Sequence, residues 1–256
     1  LYPFFAELHG LHSDYNGQTI LDYGCGIGND IVNFLQFSNA KQIIGIDISR
    51  MALKVASHRM KLHQVNSRVQ LIHTKDSIAK IPLEDSSIDH ISCIGVLHHL
   101  SDPIGKLKEF HRILKPKGTV MLYLYCYDST ALHLYTAYYI RKYHWYCNRF
   151  LNEAEVNQDA RKVFELTADG GAPIAKVWSV NEVEAMCRES GFESSYLGGC
   201  FGPRELAALP LIKEALAEPY LDQEHKDFLL SLDMKDGYPK HNGKYCGLGG
   251  AFRLSK

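Results

Sequence analysis

The densest chemical signal in this 256-residue chain is the run ILDYGCGIGND at residues 20–30. Gly24, Gly26 and Gly28 let a backbone turn sharply and come within contact distance of a ligand. A dinucleotide fingerprint places a small residue five positions after its first glycine and a pyrophosphate on the following helix N-terminus. Here that position is Asn29, and Asp22 stands just ahead of the loop. A carboxylate there opposes a pyrophosphate but complements an ammonium or sulfonium cation. Further acids recur at strand ends. Asp47 can accept both hydroxyls of a ribose, and Asp76 is placed to accept a hydrogen bond from an exocyclic amine. Asp89 precedes a fourth strand that VLHHLSDP follows.

These residues are positioned by alternating strand and helix patterns. Strands are expected at 19–24, 42–48, 68–74, 90–97 and 119–126, each a near-continuous apolar run. A helix follows over Asn29–Phe37, and Ser49 caps another from Arg50 to about His63. Asp102-Pro103 starts the helix carrying Leu107, Phe110, Ile113 and Leu114, and Pro116-Lys117-Gly118 reads as a turn. Repeated β-α-β units with apolar strands imply a parallel sheet covered on both faces. Ligands bind such sheets at the carboxyl edge.

The second half reads differently. Residues 127–172 are mostly helical and aromatic; a helix at 179–192 has Asn181 as its cap and Gly191 as its stop. Strands are expected at 194–200 and 247–255, with helical stretches between 203 and 235. The segment DGYPKHNGKYCGLGGAF suggests a hairpin returning to an antiparallel edge strand, with Tyr238 and His241 in reach of the site. We expect one α/β domain over 1–256, with a core at 1–126 and insertions at 127–175 and 201–246.

Five elements in order and spacing resemble the class I S-adenosylmethionine-dependent methyltransferases. They are ILDYGCGIGND, IIGIDISRMALKVA, Asp76-Ser77, IPLEDSSIDHISCIGVLHHLSDP and KEFHRILKPKGTVMLYLY, covering residues 19–126. The resemblance implies a doubly wound, mostly parallel seven-stranded Rossmann-like sheet with helical lid insertions. It implies S-adenosyl-L-methionine as cofactor and S-adenosyl-L-homocysteine as product. Gly24, Cys25 and Gly26, after Asp22 and Tyr23, would then surround the methionine moiety. Asp47 would hold the ribose, Ile48 and Met51 would flank the adenine, and Asp76 with Ser77 would meet its amine. Ile94 and Gly95 would face the amino group or sulfonium. CYDSTALHLY and TADGGAPIAKVWSVNEV look like a bacterial small-molecule branch whose segment after strand five is a lid over the acceptor.

Methyl transfer rests chiefly on alignment and exclusion of water. A hydroxyl or ammonium acceptor also needs a general base, whereas a thioether or free amine does not. His98 is the candidate base, against the reading that the His98–His99 pair only shapes the cofactor pocket. Tyr123, Tyr125 and Tyr127 alternate along strand five, and Tyr127, the last, is a second catalytic candidate. Tyr135, Tyr138, Tyr139, Tyr143, Trp145 and Tyr146 crowd the first insertion, with Arg141, Lys142 and Arg149 nearby. They read as an amphipathic lid helix, as an aromatic box for a cationic or planar acceptor, or as a membrane-surface helix that Glu153 and Glu155 disfavour. His9, His12 and Asp14 lack the further ligand a metal site needs, so no metal is expected.

Composition narrows the field. Lys and Arg number 28 against 29 acids, a net charge of -1. That balance argues against a protein mainly devoted to nucleic-acid phosphates or an anionic membrane. No apolar run approaches the ~18 residues of a membrane span, and LYPFFAELHG makes a poor signal peptide. Seven cysteines without a C-x-x-C suggest a reducing, cytoplasmic setting. The expected partner is a small-molecule acceptor. The rivals are a protein or nucleic-acid methyltransferase, a nicotinamide oxidoreductase disfavoured by Asn29 and Asp22, and a non-catalytic cofactor-binding module.

Overall fold

Apolar strands such as Ile20-Leu21 and Ile43-Ile44, buried along their length, need cover on both faces, and the architecture follows from that need. The computed structural model describes residues 4–11, 13–74, 80–143, 159–170 and 172–256. Its strands are β1 (Thr19–Tyr23), β2 (Gln42–Asp47), β3 (Val69–His73), β4 (Ile88–Ile94), β5 (Leu114–Tyr125), β6 (Glu193–Cys200), β7 (Lys240–His241), β8 (Lys244–Tyr245) and β9 (Gly249–Ser255). Seven of them form one mostly parallel sheet in the order β3-β2-β1-β4-β5-β9-β6, and β7 pairs with β8. Parallel pairing is continuous from β3 through β2, β1 and β4 to β5. The chain winds outward from β1 to β3 and then returns past β1 to β4, which puts a topological switch point between β1 and β4.

The helices are α1 (Phe5–His9), α2 (Asn29–Phe37), α3 (Arg50–Leu62), α4 (Pro103–Ile113), α5 (Ala160–Thr167), α6 (Val180–Glu189), α7 (Pro203–Ala208), α8 (Ile212–Ala217) and α9 (Gln223–Leu230). A π-helix, Ala131–Ile140, precedes α5. Backbone contacts gather into two compact units whose boundaries fall at 8/9, 123/124, 183/184, 195/196 and 251/252. Among the described residues, no helix is long and apolar enough to cross a membrane.

The unit holding β1–β4 follows its local signals closely. The Ser49 hydroxyl accepts from Ala52 N–H at 3.2 Å and Asp102 from Gly105 N–H at 2.8 Å, each satisfying an orphan donor of a first turn. Pro116-Lys117-Gly118, expected as a turn before the strand, lies inside β5. Pairing with β4 shifts register there, between Ile88↔Leu114 and His90↔Thr119, and Lys117 takes φ 66. Asp89 sits at the start of β4, where it accepts from Thr19 N–H at 2.9 Å and pairs with Lys115 at 2.8 Å. It ties strands together, at the end of the sheet opposite the loops after β1 and β4.

Three expectations are corrected in the second half. The cap of α6 is Ser179, not Asn181: Ser179 N–H donates to the Glu182 carboxylate at 2.7 Å, and Glu182 N–H donates to the Ser179 hydroxyl at 3.2 Å. The hairpin at 240–245 exists, but the final strand is not at the edge; β9 lies between β5 and β6. The aromatic helix is not amphipathic either. Leu132, His133, Leu134, Thr136, Ala137, Tyr138 and Ile140 are all buried, because α5, α7, α8 and α9 pack around it.

Candidate functional site

The loop after β1 is drawn tightly against β2, since Gly24 and Cys25 N–H both donate to the Ile46 carbonyl at 2.7 and 3.0 Å. Gly24 has φ +79, and a Cβ there would meet a methyl of Val96 at 2.2 Å. Glycine is therefore required twice over, by backbone conformation and by space. Gly26 and Gly95 also have positive φ, but a Cβ on either would meet nothing within 4 Å. They border open space at the carboxyl ends of β1 and β4. Gly95 N–H is held by the Tyr123 carbonyl at 2.8 Å.

Asp47 organises this loop. One carboxylate oxygen accepts from Gly26 N–H at 2.8 Å and the other from Ser49 N–H at 2.7 Å. Each oxygen keeps acceptor capacity for a further donor such as a hydroxyl. Asp22 differs: only 3% exposed, it has one carboxylate oxygen buried without a hydrogen-bond partner. Burial, then the nearby carboxylates of Asp30 and Asp47, push its pKa well above the usual carboxylate range. Asp30, in the first turn of α2, is itself raised by burial. It was absent from the sequence-derived set, although its place right after the glycine loop was the available signal. Val96 was missed as well, since nothing in a sequence says which side chain will cover Gly24.

The remaining expected residues fall as follows. Ile48 and Met51 present exposed side chains at the end of β2 and the start of α3. Ile94 is half-buried at the end of β4. Cys25 is buried, and burial followed by the charges of Asp22 and Asp47 raises its thiol pKa, so it is a poor nucleophile. Tyr23 contributes only backbone to the loop, because its ring packs edge-on against Phe110 at 5.1 Å. His98 lies in a short turn after β4, 2% exposed, with its ring edge-on to His99. Asp76, Ser77, His12, Trp145, Tyr146, Arg149, Glu153 and Glu155 lie outside the described residues. His9 packs edge-on against Tyr123 at 4.7 Å.

In the other unit, Tyr127 donates to Glu224 at 2.7 Å beneath the Arg161 guanidinium, 4.6 Å from its ring centre. Burial and Glu224 raise its phenol pKa, which disfavours proton abstraction by Tyr127. The same unit contains a cavity of about 450 Å³ lined from both insertions. Ala131, Tyr135, Thr136 and Ile140 of the π-helix line it at spacings of four and five, the face that i→i+5 hydrogen bonding creates. Tyr125 and Phe164 meet edge-on at 5.2 Å, and Tyr125 donates to Asp169 at 2.8 Å. Arg204 and Glu205 also line it.

Residues 21–122 match the family model described as a methyltransferase domain. The ubiquinone biosynthesis O-methyltransferase of Chromobacterium violaceum is 28% identical over 72% of this chain and 82% of its own. The tRNA U34 carboxymethyltransferase of Campylobacter curvus is 32% identical over 43% of this chain and 36% of its own. Among solved structures, an S-adenosylmethionine-dependent methyltransferase from Mesorhizobium loti superposes with a TM-score of 0.59 at 15% identity, over 99% of this chain and 97% of that one. Residues 21–122 are a methyltransferase domain, and the chain is an S-adenosylmethionine-dependent methyltransferase.

The cofactor fits what this methyltransferase presents. The partnerless buried oxygen of Asp22 suits an ammonium or sulfonium. The open space at Gly26 and Gly95 leaves room for a ligand against the loop backbone, and each Asp47 oxygen keeps acceptor capacity for a hydroxyl. When bound, S-adenosylmethionine supplies the reactive methyl group on a sulfonium. In the protein itself, Asp47 fixes the loop through its two backbone bonds, and Val96 packs over Gly24.

Proposed function

We propose that this methyltransferase transfers the methyl group to a small planar acceptor held in the cavity formed by residues from both insertions. Asp22, the Gly24–Gly26 loop, Asp47, Ile48, Met51, Asp76, Ser77, Ile94 and Gly95 hold the cofactor, and Tyr23 contributes its backbone. The observation that carries this reading is the cavity itself, whose Tyr125, Tyr135 and Phe164 rings supply flat apolar walls. Its volume suits a small-molecule site. The Chromobacterium relative, named for ubiquinone biosynthesis, matches most of this chain and supports a small acceptor with a hydroxyl nucleophile. A hydroxyl requires a base. His98 and Asp169 are the groups to test, His98 after β4 and Asp169 in the cavity lining. The described cysteines are free, which supports a reducing, cytoplasmic compartment.

The test is formation of S-adenosylhomocysteine from S-adenosylmethionine with a panel of phenols, catechols and aromatic amines. Phe164→Ala and Tyr135→Ala should raise the acceptor KM severalfold and leave cofactor affinity unchanged. Cofactor binding without turnover on any acceptor would support a non-catalytic module; turnover only on RNA or protein would replace the small-molecule reading.

A further inference from the structure

The near-neutral net charge conceals a strong local asymmetry. From Ile48 to Lys75 the chain contains no Asp or Glu, while Arg50, Lys54, Arg59, Lys61, Arg68 and Lys75 fall within it, with His58, His63 and His73. The rest of the chain carries 22 Lys and Arg against all 29 acids. Helix α3 runs through this segment. Its inner side, Leu53, Ala56 and Met60, is buried. Its outer side bears two parallel stripes. Arg50, Lys54 and Lys61 are exposed at spacings i, i+4 and i+11. Met51, Val55 and Leu62 repeat that spacing one residue later and are 67%, 41% and 69% exposed. One step along a helix turns about 100°, so the apolar stripe lies beside the basic one, with exposed His58 between them. Arg59 is engaged inward, donating to the Ile27 carbonyl at 3.0 Å, and Arg68 bonds the carbonyls of Ala40 and Leu35.

We propose that this outer face of α3 docks on an anionic lipid surface. Single exposed hydrophobic residues need no explanation, but a stripe of three beside a basic stripe is the pattern of a helix lying in a membrane interface. The charge selects the occupant. A second copy of this chain meeting the face through a twofold would set positive stripe against positive stripe or seat the charges on apolar side chains, and neither satisfies both stripes. A nucleic acid would use the lysines and leave Met51, Val55 and Leu62 in water. An anionic bilayer satisfies both stripes at once, the lysines at the headgroups and the apolar side chains at the acyl boundary. Met51 also belongs to the proposed adenine pocket, so the test avoids it. The inference does not depend on the identity of the acceptor.

The experiment is co-sedimentation of the whole chain with vesicles of phosphatidylcholine alone, or with about a third phosphatidylglycerol. Binding to the anionic vesicles only, weakened by added salt, is the expected result. Lys54→Gln with Lys61→Gln should weaken it about 25-fold, at about fivefold for each lysine near the surface. Val55→Ser with Leu62→Ser leaves the charge intact and should still weaken it about tenfold. Circular dichroism and S-adenosylmethionine calorimetry should be unchanged in both double variants. The proposal is overturned by no vesicle binding, or by equal binding to both vesicle types. It is equally overturned by vesicle binding that both double variants retain, by retention on RNA or duplex DNA that only the lysine variants lose, or by a dimer in solution that Leu62→Ser abolishes.

Discussion

The carboxylate of Asp47, at the end of β2, accepts a 2.8 Å hydrogen bond from the backbone N–H of Gly26 in the loop after β1. The end of β2 thereby sets the shape of the loop after β1, and the residue proposed to hold the ribose also builds the cradle for the rest of the cofactor.

Asp47→Asn will therefore behave as a severe change. Both carboxylate oxygens already accept from backbone N–H groups, of Gly26 and Ser49. Whichever way the amide turns, its NH₂ faces one of those donors. We expect S-adenosylmethionine affinity to fall about a hundredfold, from one lost charge-assisted hydrogen bond and one donor set against another. Calorimetry checks this; an affinity within threefold of wild type would refute the assignment.

Gly24→Ala places a Cβ 2.2 Å from Val96 at φ +79. The clash and the backbone strain together should cost about 2–4 kcal/mol of stability. Adding Val96→Ala should recover part of that loss, because it removes the clash and leaves the strain. Urea unfolding of both variants measures the split, and no recovery in the double variant would contradict the packing argument.

Asp22 gives cofactor binding a pH dependence with a definite sign. Its pKa is raised in the free protein by burial, Asp30 and Asp47, and a bound cation favours the carboxylate. Binding should release a proton and strengthen as pH rises through that raised pKa. Calorimetry in buffers of different ionisation enthalpy detects the proton, and Asp22→Asn should abolish its release while weakening affinity.

Glu205 makes the opposite kind of statement, about stability. Its carboxylate accepts from Gly202, Leu248 and Thr130. Burial nevertheless outweighs those bonds and raises its pKa from 4.5 to about 7. The folded protein thus holds a proton that the unfolded chain has released, so stability is lost as pH rises from about 4.5 to about 7. The total is about 3 kcal/mol. Buried His90 and His133, each lowered to about 3 by burial first of all, lose stability in the other direction below pH 6.5. The Glu205 contribution is therefore read as the difference between wild type and Glu205→Gln. A pH-independent difference would count against it.

Local chemistry made much of this molecule legible in sequence. The bounds of α2, the Ser49 and Asp102 caps, the glycine loop and the acid ending β2 all follow from interactions between near neighbours in the chain. Sterics and capping geometry act over a few residues, so residue type and spacing suffice for them. Ser179 shows the limit even there: it competes with Asn181 for the same cap, and the reciprocal bond with Glu182 decides. The rest depended on residues distant in sequence. Which side chain covers Gly24, where β9 inserts, why the Tyr-rich helix is buried and wound as a π-helix, and that two insertions line one cavity were settled by packing. The amino-acid order alone marked a cofactor of positive charge and the glycine loop proposed to receive it. Tertiary structure chose the walls, because burial and close contact belong to segments that meet only once the chain has folded.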